Sequence, residues 1–263
     1  MRCFFLGEIH LDDNKIQLIN GDCLVEMQNI EDRSIDLILC DLPYGTTARN
    51  KWDEIIPFAS LWREYKRIIK DHGVIALWSQ MPFSAKLVAS NYDMFRYEWI
   101  IEKTAATGYL NAKRMPMKAH ESVLIFYKKL PIYHPQITHG HLRKVSSAES
   151  KRNSKQSSNY NSFAELTSYD STDRYPRDVL KFKWDKQVSR LHPTQKPVAA
   201  CEYFIKTYTD SGMVVLDNCM GSGTTGVACQ NLGRKFVGIE LNKQYFDIAS
   251  ARMATKTEKE MQV

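Results

Sequence analysis

A glycine-rich segment in the last quarter of the chain limits the possible folds more than any other feature. Gly221, Gly223 and Gly226 follow an apolar stretch that ends at Asp217, and the helical pattern after them leads to a second apolar stretch that ends at Glu240. In strand–loop–helix units of this kind, missing side chains let the backbone approach a ligand at the helix N-terminus, and the acid ending the next strand holds ribose hydroxyls. The segment therefore predicts a nucleoside-cofactor site in an α/β domain.

The same glycine pattern is used by phosphate-binding loops and by nicotinamide dehydrogenases, and neither fits this chain well. A phosphate-binding loop needs a lysine after its last glycine, and none is present. Only 23 residues follow Glu240, so the other strands of the sheet have to precede the glycines, which predicts a permuted order. Ser222 and Thr224 offer hydrogen-bonding side chains that suit an amino-acid head group better than a diphosphate. A tight turn with close helix packing remains the purely structural alternative.

Short apolar segments alternate with helical ones along most of the chain, which indicates stacked βα units and a mostly parallel sheet. Strands are predicted at Lys15–Ile19, Ile35–Cys40, Gly73–Trp78, Tyr97–Ile101, Ser122–Tyr127, Met213–Leu216 and Lys235–Ile239. Helices are predicted at Ile55–Ile69, Val198–Tyr208, Thr224–Leu232 and Gln244–Met253. Seven strands suit one doubly wound sheet, and 263 residues suit one α/β domain with an insertion, because single cores stop growing near roughly 250–300 residues.

The alternating pattern breaks between Pro131 and Arg190, which we interpret as an insertion outside the sheet. There are 13 basic and 6 acidic residues between Lys128 and Arg190, whereas the whole chain has a net charge of +6. Val145–Asp173 holds nine serines in 29 residues, which predicts a long loop with little structure of its own. A basic segment of this kind is compatible with binding a polyanion.

Composition excludes several classes of protein. With 43% hydrophobic and 25% charged residues, the chain is neither disordered nor fibrous. Its six cysteines form no C-x-x-C pair, which argues against a disulfide framework and a zinc ribbon. His134, His139 and His141 lack nearby cysteines or paired carboxylates, so no metal is expected. No window reaches the roughly 18 apolar residues of a membrane span and no secretory signal is evident, so we expect no membrane partner and a cytoplasmic protein.

A second group of residues follows the apolar stretch Ile35–Cys40, where Asp41, Leu42, Pro43 and Tyr44 come in succession. Open α/β sheets bind their ligands at the carboxyl ends of strands. A carboxylate and a carbonyl there can accept both hydrogens of an exocyclic amino group, and a tyrosine can stack on the base, a contact that contributes about 1–3 kcal/mol in single-stranded binding. The purely structural alternative is a turn at the end of the strand with a buried tyrosine.

Three motifs, taken in order, resemble the amino-methylating DNA methyltransferases of the permuted β group, the small phage and prophage members above all. They are Asp41-Leu-Pro-Tyr44, His192-Pro-Thr-Gln-Lys-Pro197 and Asp217-Asn-Cys-Met-Gly-Ser-Gly-Thr224, and the match covers nearly the whole chain. The resemblance implies a class I methyltransferase fold that uses S-adenosylmethionine and acts on double-stranded DNA. Residues 1–130 would then be the catalytic part, 131–190 the target-recognition region and 191–263 the cofactor-binding part.

The resemblance also implies roles for individual residues. Asp41 would accept a hydrogen bond from the target amino group, the Leu42 carbonyl, held by Pro43, would accept a second one, and Tyr44 would stack on the flipped-out base. Glu240 would contact the ribose. The remaining cofactor-binding residues that the motifs imply are Asp22, Cys23, Thr194, Gln195, Lys196, Asp217, Gly221, Ser222, Gly223 and Thr224.

The target and the partners follow less directly from the motifs. An aspartate at the first position of D-x-P-Y, where cytosine-N4 enzymes of the group usually carry serine, favours adenine N6 as the methylated atom. Cytosine-N4 methylation, RNA methylation and an inert DNA-binding protein stay open as alternatives. The resemblance admits a homodimer and a cognate restriction nuclease as further partners, but neither can be read from these residues.

The chain departs from the usual motifs at two places. Leu42 replaces a commoner proline, which we expect to be harmless because its main-chain carbonyl is used. Asn218 and Cys219 stand where the family often has proline and phenylalanine, so an aromatic wall is missing that Tyr44 or Phe236 would have to supply. In the insertion, the residues considered for base reading are Arg174, Arg177, Lys181 and Lys183.

Overall fold

The computed structural model of the chain describes residues 16–45, 54–147, 168–182 and 195–260. Its strands are β1 (Ile16–Asn20), β2 (Ile35–Cys40), β3 (Ile69–Ser79), β4 (Phe95–Thr107), β5 (Lys118–Phe126), β6 (Lys144–Ser146), β7 (Tyr169–Ser171), β8 (Val179–Phe182), β9 (Val214–Asp217) and β10 (Lys235–Glu240). Its helices are α1 (Cys23–Glu26), α2 (Phe58–Ile68), α3 (Phe83–Ser90), α4 (Val198–Tyr208), α5 (Thr224–Leu232) and α6 (Lys243–Glu260).

Within the described ranges, eight strands form one sheet in the order β1-β10-β9-β2-β3-β5-β4-β8. β5 is antiparallel to both of its neighbours, and the other pairs of this sheet are parallel. Apolar side chains fill both faces. One face packs against α2 and α3 through residues such as Leu61 and Phe83, and the other packs against α4, α5 and α6 through residues such as Phe204. The predicted doubly wound, mostly parallel α/β fold is confirmed.

The central strand β2 shows why the sheet is covered on both faces. All six of its residues are buried, and its near-continuous apolar run is typical of parallel strands with helices on each side. Its one charged residue, Asp36, accepts hydrogen bonds from Lys70 Nζ at 2.7 Å and from the Val214 backbone N at 2.9 Å. The carboxylate is therefore satisfied within the sheet.

The order of the strands is permuted along the chain. β1 pairs with β10 and β9 pairs with β2, so strands from the two ends of the sequence lie side by side. The strand order reverses between β9 and β2, which is the point where open α/β sheets leave a crevice at the carboxyl ends of their strands. The glycine-rich loop after β9 and the segment that begins at Asp41 after β2 meet at this crevice.

Five of the named elements were not predicted from the sequence, namely α1, α3, β6, β7 and β8. β8 pairs in parallel with β4, although it lies in the segment interpreted as an insertion outside the sheet, so that interpretation is wrong for Val179–Phe182. Its four residues are too few for a period-2 pattern to stand out, yet Leu180 and Phe182 pack against the core. The sheet consequently has eight strands instead of seven. α3 was also missed because only Phe83 and Leu87 mark its buried apolar face.

Residues Pro135–Arg177 form a separate compact unit. Within it, β6 and β7 are antiparallel and pair the two ends of the serine-rich segment; the rest of that segment, 148–167, lies outside the described residues. The Arg174 guanidinium donates to the carbonyls of Ser171, Asp173 and Leu142. These contacts occupy Arg174 inside the unit, which argues against its predicted use in base reading.

The other residues considered in the insertion have different surroundings. Lys181 forms an ion pair with Glu102 on the neighbouring strand at 2.8 Å, Arg177 is exposed, and Lys183 lies outside the described residues. No helix in the described part of the chain has both the length and the apolar character to cross a membrane.

Candidate active site

A cavity of about 1230 Å³ opens at the carboxyl ends of the parallel strands. It brings together most of the residues that the motifs singled out, from both halves of the sequence. Those that line it are Asp22, Cys23, Asp41, Leu42, Pro43, Tyr44, Gln195, Lys196, Asp217, Gly221, Ser222, Thr224 and Glu240. Gly223 is not in the lining, and Thr194 lies outside the described residues.

Glu240, at the end of β10, is held by backbone amides from the loops that follow β9 and β10. Its carboxylate accepts hydrogen bonds from Gly221 N and Asn242 N, each at 2.8 Å. Burial raises the pKa of Glu240, and the amide donors oppose that shift. The carboxylate still has lone pairs available, because each oxygen carries two. Glu240 is thus a fixed acceptor at the wall of the cavity, consistent with its predicted contact to ribose hydroxyls.

Asp217 stabilises the turn that follows β9 through two hydrogen bonds. Its Oδ2 accepts from Thr225 Oγ1 at 2.7 Å and its Oδ1 accepts from Cys219 N at 3.2 Å. Burial raises the pKa of Asp217 to about 7. On the far side of the loop, the guanidinium of Arg252 donates to the hydroxyl of Thr224 and the carbonyl of Ser222, both at 3.1 Å. The loop is therefore held from β9 and from α6.

Packing accounts for Gly223 in this structure, and its predicted contact with the cofactor stays a prediction. Its φ is +76°, a left-handed conformation that favours glycine. A Cβ there would lie 2.8 Å from Met253 Cε and 3.0 Å from the Ala249 Cβ. Gly223 lets α6 pack closely on the start of α5. Of the two predicted cavity glycines, Gly221 lines the cavity and Gly223 does not.

Phe236 was one of the two residues considered for the missing aromatic wall. It is 1% exposed in the core and does not line the cavity, so it cannot supply the missing aromatic wall. Asn218 is instead anchored by a hydrogen bond from Tyr65 Oη at 2.5 Å. The aromatic residues that line the cavity are Tyr44, Trp78 and Tyr245.

Asp41 begins the second half of the site and is contacted at both carboxylate oxygens. Tyr44 Oη donates to its Oδ1 at 2.7 Å, and Lys196 Nζ lies 3.1 Å from its Oδ2. The Tyr44 ring stacks on Phe83 with centroids 4.9 Å apart and planes 25° from parallel. About 25% of the Asp41 side chain is exposed, so the carboxylate is supported from behind and still reaches the cavity.

Two further charged residues complete this half of the site, and sequence analysis did not identify them. The Glu121 carboxylate forms ion pairs with Lys196 Nζ, at 2.7 Å, and with Lys103 Nζ, at 2.6 Å. All three side chains are about nine-tenths buried. Lys196 Nζ also lies 4.9 Å from the centre of the Trp78 ring. The only sequence signal was the charge of Glu121 and Lys103 at the ends of apolar strands. The pairing of β4 with β5 brings them together.

The charges of this network shift the pKa values of its members. Burial raises the pKa of Asp41, and the Lys196 cation opposes the shift. Burial disfavours the charged form of Lys196, but the carboxylates of Asp41 and Glu121 outweigh it and raise the pKa of the ammonium. Burial likewise opposes ionisation of Glu121, and the two lysines still lower its pKa. Positive and negative charges alternate through the network, and all four of its members line the cavity.

The glycine-loop half of the cavity fits S-adenosylmethionine on the chemistry of its donors and acceptors. Among the described residues, buried Gln195 Oε1 has no hydrogen-bond partner, and it lines the cavity. Such an orphaned acceptor calls for a donor from a ligand, and an amino-acid ammonium group is one. Glu240 supplies the acidic acceptor suited to hydroxyl groups. The residues present therefore fit a nucleoside cofactor with an amino-acid end.

Solved methyltransferases share this fold. M1.HpyAVI in complex with SAM is 23% identical with a TM-score of 0.62, over 90% of this chain and 98% of that chain. The cytosine-N4-specific PvuII DNA methyltransferase is 14% identical with a TM-score of 0.65, over 91% of this chain and 88% of that chain. At these identities the likeness establishes the class I methyltransferase fold.

The family follows from the sequence comparison. The family model for DNA methylases matches residues 35–251, and the chain belongs to that family. M.HpaI from Haemophilus parainfluenzae, a type II methyltransferase, is 28% identical over 90% of this chain and 74% of the relative. M2.DpnII from Streptococcus pneumoniae, also type II, is 24% identical over 95% of this chain and 93% of the relative. The chain is an S-adenosylmethionine-dependent DNA methyltransferase.

Proposed function

We propose that this enzyme methylates N6 of an adenine that is flipped out of double-stranded DNA. The observation that carries the proposal is the position of Asp41 and Tyr44, at the end of β2 and in one cavity with the glycine loop. An aspartate at the start of this motif favours adenine over cytosine. A base inside a duplex does not reach such a cavity, so the target has to be extruded, at a cost of a few kcal/mol.

The chain's own groups address the poor nucleophilicity of an exocyclic amine. Its nitrogen lone pair is delocalised into the ring, and acceptors for both N–H hydrogens draw the nitrogen toward tetrahedral geometry. Asp41 is one acceptor and the Leu42 carbonyl is proposed as the other. S-adenosylmethionine, when bound, supplies an electrophilic methyl group on a sulfonium. On accepting that methyl group, the amino nitrogen would lose one proton.

Asp41 is also the proposed acceptor of that proton. Burial raises its pKa, which makes its carboxylate a better base, and the Lys196 cation opposes that shift. A covalent intermediate on cysteine is not needed. Cys40, which precedes Asp41, is fully buried, and burial raises the pKa of its thiol to about 12. We therefore assign Cys40 to packing.

The cofactor roles are proposed for the residues that line the glycine-loop half. Glu240 would accept from ribose hydroxyls, Asp22 would lie near the adenine of the cofactor, and Gln195 would accept from the amino-acid end. Lys196 was grouped with Gln195 from its motif. Its ammonium is instead directed at Asp41 and Glu121, so we propose that it supports the catalytic carboxylate.

The compact unit Pro135–Arg177 is proposed to contribute to target recognition. Its basic composition supports contacts to phosphates, which make binding weaken steeply with salt. A homodimer and a cognate restriction nuclease stay predictions of the family resemblance.

The test is to incubate the purified enzyme with S-adenosylmethionine and unmethylated duplex DNA, digest the DNA to nucleosides and identify the modified base by mass spectrometry. N6-methyladenine is expected, and sequencing of the modified DNA then gives the target site. N4-methylcytosine would keep the fold and the mechanism but reject the assignment of adenine. Absence of any methylated nucleoside, with the cofactor bound, would reject DNA as the substrate.

A further inference from the structure

The strands β4 and β5 extend beyond the sheet as an arm whose surface is continuously exposed. All 17 residues from Thr104 to His120 are exposed, although Thr107 still pairs with Lys118 across the arm. A short 3₁₀ turn at Tyr109–Asn111 forms the tip. Exposure over such a length means that the arm buries little of its own surface against the rest of the chain.

The exposed side chains of the arm are large and apolar at its tip. Tyr109 is 79% exposed and Leu110 is 97% exposed, and Met115 and Met117 are 54% and 37% exposed. Scattered single apolar residues on a surface are ordinary, but contiguous ones mark interaction sites. Four large apolar residues within nine residues of one hairpin indicate a surface that a partner covers when the protein functions.

The charges of the arm identify the kind of partner. Lys113, Arg114 and Lys118 are basic, and no acidic residue occurs between Lys103 and Glu121. Lys118 Nζ donates to Gln80 Oε1 at 3.2 Å, which holds its charge near the base of the arm. An apolar tip flanked by positive charges complements a polyanion that also presents the apolar faces of stacked bases.

The arm begins at the cavity itself. Residues Thr104, Ala105, Ala106 and Thr107 line it together with Asp41 and Tyr44. Whatever the tip contacts is therefore next to the group that enters the cavity. A duplex from which one base has been removed offers a gap in its base stack at that place, and apolar wedges are known to occupy such gaps.

We propose that the arm Thr104–His120 binds the target duplex beside the flipped-out base. Tyr109 and Leu110 pack against the opened base stack, while Lys113, Arg114 and Lys118 contact phosphates. The inference rests on the proposed function and extends it. It assigns part of base extrusion to a hairpin that belongs neither to the three sequence motifs nor to the basic insertion.

The first experiment replaces the tip with Tyr109→Ala/Leu110→Ala. Single-turnover methylation of duplex DNA is expected to fall at least tenfold, with affinity for S-adenosylmethionine unchanged. A mismatch at the target adenine makes extrusion easier, so a mismatched duplex should restore part of the lost rate. The matched control is Tyr92→Ala/Leu130→Ala, two residues that are 73% and 78% exposed and lie beyond the other ends of β4 and β5, and it should behave as wild type.

The second experiment replaces the basic residues with Lys113→Gln/Arg114→Gln/Lys118→Gln. Each phosphate contact contributes about −0.9 to the slope of log binding constant against log salt concentration. The slope for duplex binding should therefore become less steep by about 2.7. The control is Arg33→Gln/Lys66→Gln/Lys206→Gln, three exposed residues near the amino ends of parallel strands, and its slope should match the wild type.

The outcomes distinguish a failure of the arm's proposed role from a failure of the proposed function. If wild type forms no methylated base on duplex DNA, the proposed function fails and the arm's role with it. If wild type methylates DNA while the tip variant stays within twofold of it and the basic variant keeps the wild-type slope, only the arm is rejected. A tip variant that changes sedimentation behaviour but not methylation would assign the arm to contact between copies of the chain, and would also reject the proposal.

Discussion

Lys196 contacts two carboxylates that act differently on the chemistry of the site. Asp41 and Glu121 both line the cavity, but Glu121 is the more deeply buried and also pairs with a second lysine, Lys103. Removing one partner of a buried ion pair leaves the other uncompensated. Each member of this network therefore influences Asp41 through charge, and substitutions should change how the reaction depends on pH.

Substitution Asp41→Ala should abolish methylation while affinity for S-adenosylmethionine stays within about threefold of wild type. The carboxylate is the proposed acceptor of the target amino group, and general-base contributions are about 10²–10⁴-fold in rate. Single-turnover methylation and cofactor titration measure the two effects. A loss of cofactor affinity as large as the loss of rate would move Asp41 from the catalytic half of the site to the cofactor half.

Substitutions Lys196→Gln and Glu121→Gln should shift the acid limb of the pH–rate profile in opposite directions. The rate falls as pH falls through the pKa of Asp41, because the protonated carboxyl no longer accepts a proton. The Lys196 cation lowers that pKa and the Glu121 anion raises it, so losing Lys196 moves the limb to higher pH and losing Glu121 moves it to lower pH. Parallel shifts, or profiles identical to wild type, would show that the network has only a structural role.

At the scale of elements, Gly223 is one of the glycines that let α6 pack against α5. The left-handed backbone of Gly223 begins α5, and its missing side chain leaves room for Ala249 and Met253. Gly212 has a similar φ, +79°, but nothing lies within 4 Å of its Cβ position. The two glycines separate the cost of backbone strain from the cost of lost packing.

Substitution Gly223→Ala should destabilise the fold more than Gly212→Ala does. A left-handed alanine costs about 1–2 kcal/mol at either position, and overpacking against α6 adds about 1–3 kcal/mol at Gly223 alone. Urea unfolding of both variants measures the difference in the free energy of unfolding. Equal destabilisation would mean that α6 shifts without cost, and a selective loss of cofactor affinity would support the predicted contact of Gly223 with the cofactor.

The elements that sequence patterns identified are those whose burial is locally periodic. β2, α4 and α5 were predicted with the bounds observed, because each has a strong apolar pattern and a clear end signal. β8 and the exposed arm depend on pairing between distant strands, which leaves little trace in local periodicity. The same limit explains the site: motif residues such as Asp41 and Glu240 were identified, whereas Glu121 and Lys103 become neighbours only through the β4–β5 pairing.

At the scale of the whole molecule, cofactor and catalytic residues belong to the large sheet unit, and the basic excess extends into a second compact unit. The sheet unit comprises 1–134 and 178–263, and the second unit comprises 135–177. Every cavity-lining residue lies in the sheet unit. The catalytic residues and the unit proposed for target recognition therefore occupy separate stretches of the sequence, and a single replacement tests that proposal.

Replacing residues 135–177 with a short glycine–serine linker should leave cofactor binding intact and remove site-specific methylation. The replacement takes no residue from the cavity and no strand from the large sheet, whereas it removes basic residues proposed to contact DNA. Cofactor titration, thermal unfolding and methylation of duplex DNA check the three parts of the expectation. If the shortened enzyme still methylates the same site at a rate within about tenfold of wild type, recognition lies in the sheet unit, and the arm becomes the element to examine for it.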